Sequence, residues 1–336
     1  MTVGKYYTTM LKNTESTREL PYQHVMDITP SDALAVVAGQ IRRTPTMTSG
    51  SLNRLTGIDF AFKCEQLQRT GSFKFRGASF SVSQLPGDCL GVATHSSGNH
   101  GAALAAAAAA RGFPADVVMP ENAVASKIEA VRAYGGTVHF CAPNQAAREA
   151  GLQRLIDQGK TAIPPYDHEH IIAGQGTVAL EFLAQAPDLD DIVAPIGGGG
   201  LLSGITLAAA QVAPNVRVTG AEPAGADDAA RSLAGGKRVS DHDPQTIADG
   251  LRALIGTRNF AVLSGHDIEV ITVSETQIIE AMTLAWRHLK QVVEPSGAVP
   301  LAAVLAVRER FAGRRVGVVL SGGNLEIGAL LKHLRT

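Results

Sequence analysis

The chain has 336 residues, enough for two globular units with buried interiors, and 45% of them are apolar. Its 30 lysines and arginines are balanced by 31 aspartates and glutamates, so no broad basic field exists to attract nucleic acid. Cys64, Cys89 and Cys141 are scattered without CxxC spacing, which argues against a disulfide framework or a zinc site and fits a reducing cytoplasm.

The first 20 residues carry no apolar stretch between a basic start and a small-residue cleavage site, so they read as a loosely held arm rather than a signal peptide. No apolar run approaches the roughly 18 residues that a membrane helix needs. Next comes Thr70-Gly71-Ser72-Phe73-Lys74-Phe75-Arg76-Gly77-Ala78, where a lysine sits among hydroxyls and aromatic rings. On spacing alone Lys74 is equally a solvated surface residue. Ser96 to Gly101, SSGNHG, leads into an alanine-rich helix, Ala102 to Ala110, whose small side chains suit close packing. Gly174 to Ala179, GQGTVA, matches the dinucleotide pattern GxGxxA, with Asp190 and Asp191 downstream; its plainer reading is a helix N-terminus whose glycines and Thr177 permit close packing.

Ile192 to Ile196 reads as a buried strand that runs into four glycines, Gly197 to Gly200, followed by a helix from Gly200 to Val212. Without Cβ atoms, successive N–H groups can turn toward one phosphate at the head of that helix. Further strands are expected at Val216 to Thr219 and Val316 to Leu320, a helix over Ser274 to Val292, and a last helix-opening glycine cluster, SGGN, at Ser321 to Asn324. Alternating strands and helices predict an α/β architecture with open, mostly parallel sheets flanked by helices, and strand-to-glycine junctions are where such sheets bind ligands.

The motifs TGSFKFRGA, SSGNHG, GGGG and LSGGN, in this order and separation, resemble the fold-type-II pyridoxal-phosphate family, among them serine/threonine dehydratases and serine racemases. The likeness runs from about Ile41 to the end. It implies a two-domain fold like the tryptophan synthase β chain, with residues 1–85 and 165–336 as a large cofactor-binding domain and 86–164 as a small mobile one. It makes Lys74 the Schiff-base lysine, Phe73 the ring on the cofactor face and Asn99 the partner of the phenolic oxygen. Gly197, Gly198, Gly199, Gly200 and Leu201 would hold the phosphate, Ser321 the pyridine nitrogen, with Gly250 and Glu294 lining the cofactor. The substrate carboxylate would lie on Ser96, Asn99 and His100. Ser97 matches a serine that acts in serine racemases as the base opposite the lysine, and is otherwise a helix cap.

Glu222, the carbonyl of Ala226 and Asp228 resemble the family's cation loop, and as hard oxygen donors suit magnesium, calcium or manganese. By composition alone the same stretch is an acidic turn. The resemblance implies a dehydratase, an ammonia-lyase acting on serine, threonine or 3-hydroxyaspartate, and a homodimer. An extra substrate carboxylate would demand an extra cation, from Arg148 or His168. Two alternatives stay open: an amino-acid racemase, and remotely a nicotinamide oxidoreductase using the GQGTVA segment.

Overall fold

The computed structural model describes residues 26–96, 98–326 and 328; the N-terminal arm and Ser97 lie outside the described residues. Among these, ten strands follow in chain order: β1 (Thr46–Met47), β2 (Asp59–Cys64), β3 (Val92–His95), β4 (Ala115–Pro120), β5 (Thr137–Cys141), β6 (Thr161–Ala162), β7 (Asp191–Pro195), β8 (Arg217–Pro223), β9 (Glu269–Val273) and β10 (Arg315–Leu320). They form a six-stranded sheet, β1-β2-β10-β7-β8-β9, and a four-stranded one, β5-β4-β3-β6. Only β1 pairs antiparallel with its neighbour. Strands covered by helices on both faces need apolar residues on both, hence runs such as VGVVL in β10.

Strand alternation sorts these side chains between cores. Phe60 and Phe62 of β2 and Val316, Val318 and Leu320 of β10 enter one core, while Ala61 and Val319 enter the other. That second core is shared, because Val92 of β3 and Val117 and Met119 of β4 pack into it from the smaller sheet. A third, small cluster of Ala93, Val118, Cys141 and Leu155 covers the smaller sheet's far face.

The helix Glu169–Gln185 packs against the helices Lys74–Ser83 and Gly200–Val212, and the GQGTVA segment falls inside it. A Cβ on Gly174 would meet Gly77 Cα at 2.6 Å, and one on Gly176 would meet the Gly204 carbonyl at 2.6 Å. The glycines therefore let three helices touch backbone to backbone. No strand-to-helix turn exists there to receive a pyrophosphate, which corrects both the dinucleotide reading and the placement at a helix N-terminus. The close packing itself is present.

One other expectation shifts. The helix at Glu275–Leu284 carries a capping box of Ser274 and Gln277, then passes into a π-helical turn at Ala285–Leu289 and stops where Lys290 turns left-handed (φ 59°), so it is shorter than expected. Ser321 to Glu326 is irregular, with an isolated bridge from Gly322 to Ser72, and the residues where SGGN would open a helix lie largely outside the described residues. No helix among the described residues is long and apolar enough to cross a membrane.

Candidate active site

β3, β7 and β10 lead at their carboxyl ends into Ser96, Gly197 and Ser321, so three strands deliver the sequence-predicted residues to one cleft. Lys74 begins the helix Lys74–Ser83, and Phe73 before it is tied to β10 by a 3.0 Å hydrogen bond from its N–H to the Ser321 carbonyl. The Lys74 Nζ donates to the Pro165 carbonyl at 2.7 Å and stands 5.1 Å from the centre of the Phe73 ring. Burial pushes its pKa down to about 8, so the amine gives up its proton far more readily than an ordinary lysine.

One residue beyond Pro165, Tyr166 lies against the glycine loop. A Cβ on Gly198 would collide with the Tyr166 ring, and one on Gly200 would meet its carbonyl at 2.9 Å. Gly199 takes φ +93°, and a Cβ there would meet Asn259 at 2.6 Å. Only glycine serves at this position. Asn259 Nδ2 donates to the Gly198 carbonyl at 2.7 Å, and Asp167 accepts the N–H groups of Thr257 and Arg258, both at 3.0 Å. Among the described residues the N–H groups of Gly197 to Gly200 meet no acceptor, although all four glycines are buried. A reactive amine and an anion cradle thus lie on either side of Pro165-Tyr166.

The other wall comes from the smaller sheet. Asn99 donates to Glu294 at 2.7 Å and accepts from Asn324 Nδ2 at 2.8 Å. Lys127 pairs with Asp249 beside it. Gly250 N–H bonds Ser296 Oγ at 3.0 Å, and Leu201 and Ser321 are buried. Ser96 Oγ accepts from the Gly98 N–H at 3.3 Å.

A model of the family described as pyridoxal-phosphate dependent enzymes matches residues 37–322. The chain belongs to this family. Among relatives, it is 46% identical to a beta-hydroxyaspartate dehydratase of Paracoccus denitrificans, covering 86% of this chain and 93% of that one. It is also 46% identical to a serine racemase of Arabidopsis thaliana, covering 86% and 90%. The solved structure of maize serine racemase superposes with TM-score 0.88 at 42% identity, over 93% of this chain and 97% of that one. The cleft of this pyridoxal-phosphate enzyme fits such a group: unpaired N–H groups suit a phosphate, and a lysine of lowered pKa suits an aldehyde.

Several sequence-predicted roles change in detail. The His100 imidazole is buried, its Nε2 faces the Ile163 carbonyl at 3.0 Å, and burial pushes its pKa down to about 3, with the Lys74 charge adding to the effect. It brings no positive charge to a substrate; what faces the cleft is the start of its helix. His168 caps the helix Glu169–Gln185 by accepting from the His170 N–H at 3.2 Å, and burial lowers its pKa, so it is a poor cation for a second carboxylate. Arg148 sits near His95 at the end of β3, and its Nε is buried with no hydrogen-bond partner among the described residues. Asp228 is buried with its Oδ1 unpaired, and Glu222 accepts the N–H groups of Ala229 and Ala230 at 3.2 and 2.9 Å. No three His, Cys, Asp or Glu side chains gather as a metal cage among the described residues. Tyr166, Asn259 and Asn324 were not singled out by the sequence; Asn324 alone had a signal, as the last residue of SGGN.

Burial, with the Asp249 charge, pushes the Glu294 carboxyl up to about 8 from an ordinary 4.5. The folded chain therefore binds more protons than the unfolded chain between these values, and stability falls as pH rises through that window. Glu294→Gln, which mimics the protonated acid, is expected to gain melting temperature over the wild type progressively from pH 5 to pH 8, by a few degrees in all. A difference that stays constant with pH would contradict this.

Proposed function

We propose that this enzyme eliminates water from a 3-hydroxy amino acid, with 3-hydroxyaspartate as the preferred substrate and a keto acid and ammonia as products. The observation that carries the reading is the Lys74 amine, of pKa about 8, held by Pro165 beside the glycine cradle. In this reading Lys74 binds the cofactor, Phe73 packs on its face, and Asn99 meets its phenolic oxygen. Gly197 to Gly200 and Leu201 hold its phosphate, Ser321 its ring nitrogen, and Gly250 and Glu294 line it. When bound, pyridoxal phosphate supplies an electron sink that eases loss of the proton on the substrate's α-carbon.

Lys74 then takes that proton from one face. The α-carboxylate rests on Ser96, Asn99 and the N–H of His100, at a helix N-terminus that favours an anion. The Cβ–O bond breaks as the hydroxyl takes a proton back from the Lys74 amine and leaves as water, and the released enamine shifts to its imine, which water hydrolyses to the keto acid and ammonia. Links between the lobes, Asn99 to Glu294 and Lys127 to Asp249, hold the cleft closed against solvent. We read residues 86–164 as the small domain that closes. The unpaired, buried Arg148 Nε supports a second carboxylate on the substrate, as does the likeness to a beta-hydroxyaspartate dehydratase. Glu222, the Ala226 carbonyl and Asp228 are assigned to a divalent cation, since buried carboxylates with spare lone pairs favour one. A cytoplasmic homodimer completes the reading.

A second reading, racemisation, is favoured by Ser97, whose hydroxyl would act opposite Lys74, and by the equal likeness to a serine racemase. A panel of both configurations of serine, threonine and 3-hydroxyaspartate, assayed for keto acid, ammonia and inversion with and without a chelator, separates the two. Arg148→Gln is expected to raise KM for 3-hydroxyaspartate by roughly tenfold or more, while serine changes little. Equal losses on both substrates would remove Arg148 from the substrate site.

A further inference from the structure

The SGGN segment is laced to the turn that precedes Lys74. Phe73 N–H donates to the Ser321 carbonyl at 3.0 Å, Ser72 and Gly322 form an antiparallel bridge, and Gly323 N–H donates to the Gly71 carbonyl at 3.0 Å. The next rung is made by a side chain, as Asn324 Nδ2 donates to the Thr70 carbonyl at 2.7 Å. The backbone N–H of Asn324 goes to the Glu294 carboxyl instead. Thr70 stands at φ 63°, a left-handed conformation that a β-branched residue adopts only under constraint, and Gly71 follows at φ 74°. A Cβ on Gly71 would strike Asn324 Oδ1, so the carboxamide sits directly on this turn.

The polarity of the network is set by a group that can only accept. The Thr70 carbonyl demands an N–H, so Asn324 turns Nδ2 toward it, and the second hydrogen of that Nδ2 goes to Asn99 Oδ1 at 2.8 Å. Asn99 then has its own Nδ2 on the other side. One hydrogen goes to Glu294 at 2.7 Å, and the other is uncommitted among the described residues. A carboxamide has the same shape either way round, and only its partners decide which end donates. We propose that Asn324 is a positioning residue that turns the donor end of the Asn99 carboxamide toward the cofactor, so that the phenolic oxygen meets an N–H and is held ionised. The proposal rests on the reading of Asn99 as partner of that oxygen, and its test separates the two. A donor favours the ionised form of the oxygen, whereas a carbonyl lone pair facing it disfavours that form. Asn324→Asp keeps the shape but accepts only, so Asn99 has to turn round.

Cofactor-loaded wild type, Asn324→Asp, Asn324→Ala, Asn99→Ala and the double variant Asn324→Ala with Thr70→Gly are compared by absorption spectrum, cofactor affinity and melting. Asn324→Asp is expected to lose most of the visible band of the ionised phenolic form to the near-ultraviolet band of the neutral form, and to hold the cofactor roughly tenfold or more less tightly. Asn324→Ala frees the Asn99 amide to take either orientation, which moves the spectrum part of the way, and it lowers the melting temperature by several degrees. Thr70→Gly relieves the left-handed turn, so the double variant regains most of that melting temperature while its spectrum stays shifted. A double variant with the wild-type spectrum would overturn the proposal, because Asn324 would then serve the turn alone. An unshifted Asn324→Asp beside a shifted Asn99→Ala would overturn the role of Asn324 and leave the reading of Asn99 standing. An unshifted Asn99→Ala would overturn both. Where Asn324→Asp does not fold, the double variant decides.

Discussion

Lys74→Ala is expected to purify folded, to retain no borohydride-fixed cofactor, and to form keto acid at least about a thousandfold more slowly than the wild type. The fold survives because among the described residues the Lys74 amine makes a single hydrogen bond, to the Pro165 carbonyl, and alanine is a good helix former at the head of Lys74–Ser83. The chemistry does not survive, because in the proposed mechanism the same amine holds the cofactor and takes the proton. The lowered pKa adds a pH signature. Only the unprotonated amine attacks an aldehyde, and at pH 7 a lysine of pKa about 8 is unprotonated a few hundredfold more often than one near 10.5. Reloading of cofactor-free enzyme should therefore quicken about tenfold per unit up to pH 8 and then level off. Undiminished turnover by Lys74→Ala, or reloading that keeps rising to pH 10, would sink the assignment.

The strands and the glycine junctions were legible because their causes are local. A β-branched run such as Val316-Gly317-Val318-Val319-Leu320 makes a buried strand wherever it is placed, and a glycine loop before Leu201 makes an anion cradle by lacking Cβ atoms. GQGTVA misled because its glycines answer to distant partners, Gly77 and Gly204, which no local pattern reveals. His168 was misjudged for the same reason: burial by other segments decides whether an imidazole carries charge. Asn259 supports the cradle from 61 residues away and had no signal at all. Ser97, on which the racemase reading leans, lies outside the described residues.

The network around Arg76 was equally invisible, and its disruption is the second large effect expected. Arg76 is fully buried; its Nε and Nη2 bond Glu65 at 2.7 and 2.8 Å, and its Nη1 and Nη2 bond Glu181 at 3.0 and 2.8 Å. Burial alone would lower its pKa, yet Glu65 and Glu181 hold it above the ordinary value. Glu181 has a second cation in direct contact, Lys63 at 2.9 Å, whereas among the described residues Glu65 keeps, beyond Arg76, a side-chain hydrogen bond only from the Thr44 hydroxyl, with the Lys63 charge acting on it at longer range. Arg76→Met should therefore cost about 3–5 kcal/mol in denaturant unfolding, since it leaves a buried carboxylate uncompensated. Adding Glu65→Gln should recover a large part of that loss, because the orphaned charge is then gone. Residues two apart on a helix do not share a face, so Arg76 supports Lys74 by fixing the helix that begins with it, and folded Arg76→Met should keep most of its kcat. If Glu65→Gln deepened the loss instead of relieving it, the destabilisation would have to come from lost packing rather than from the stranded charge.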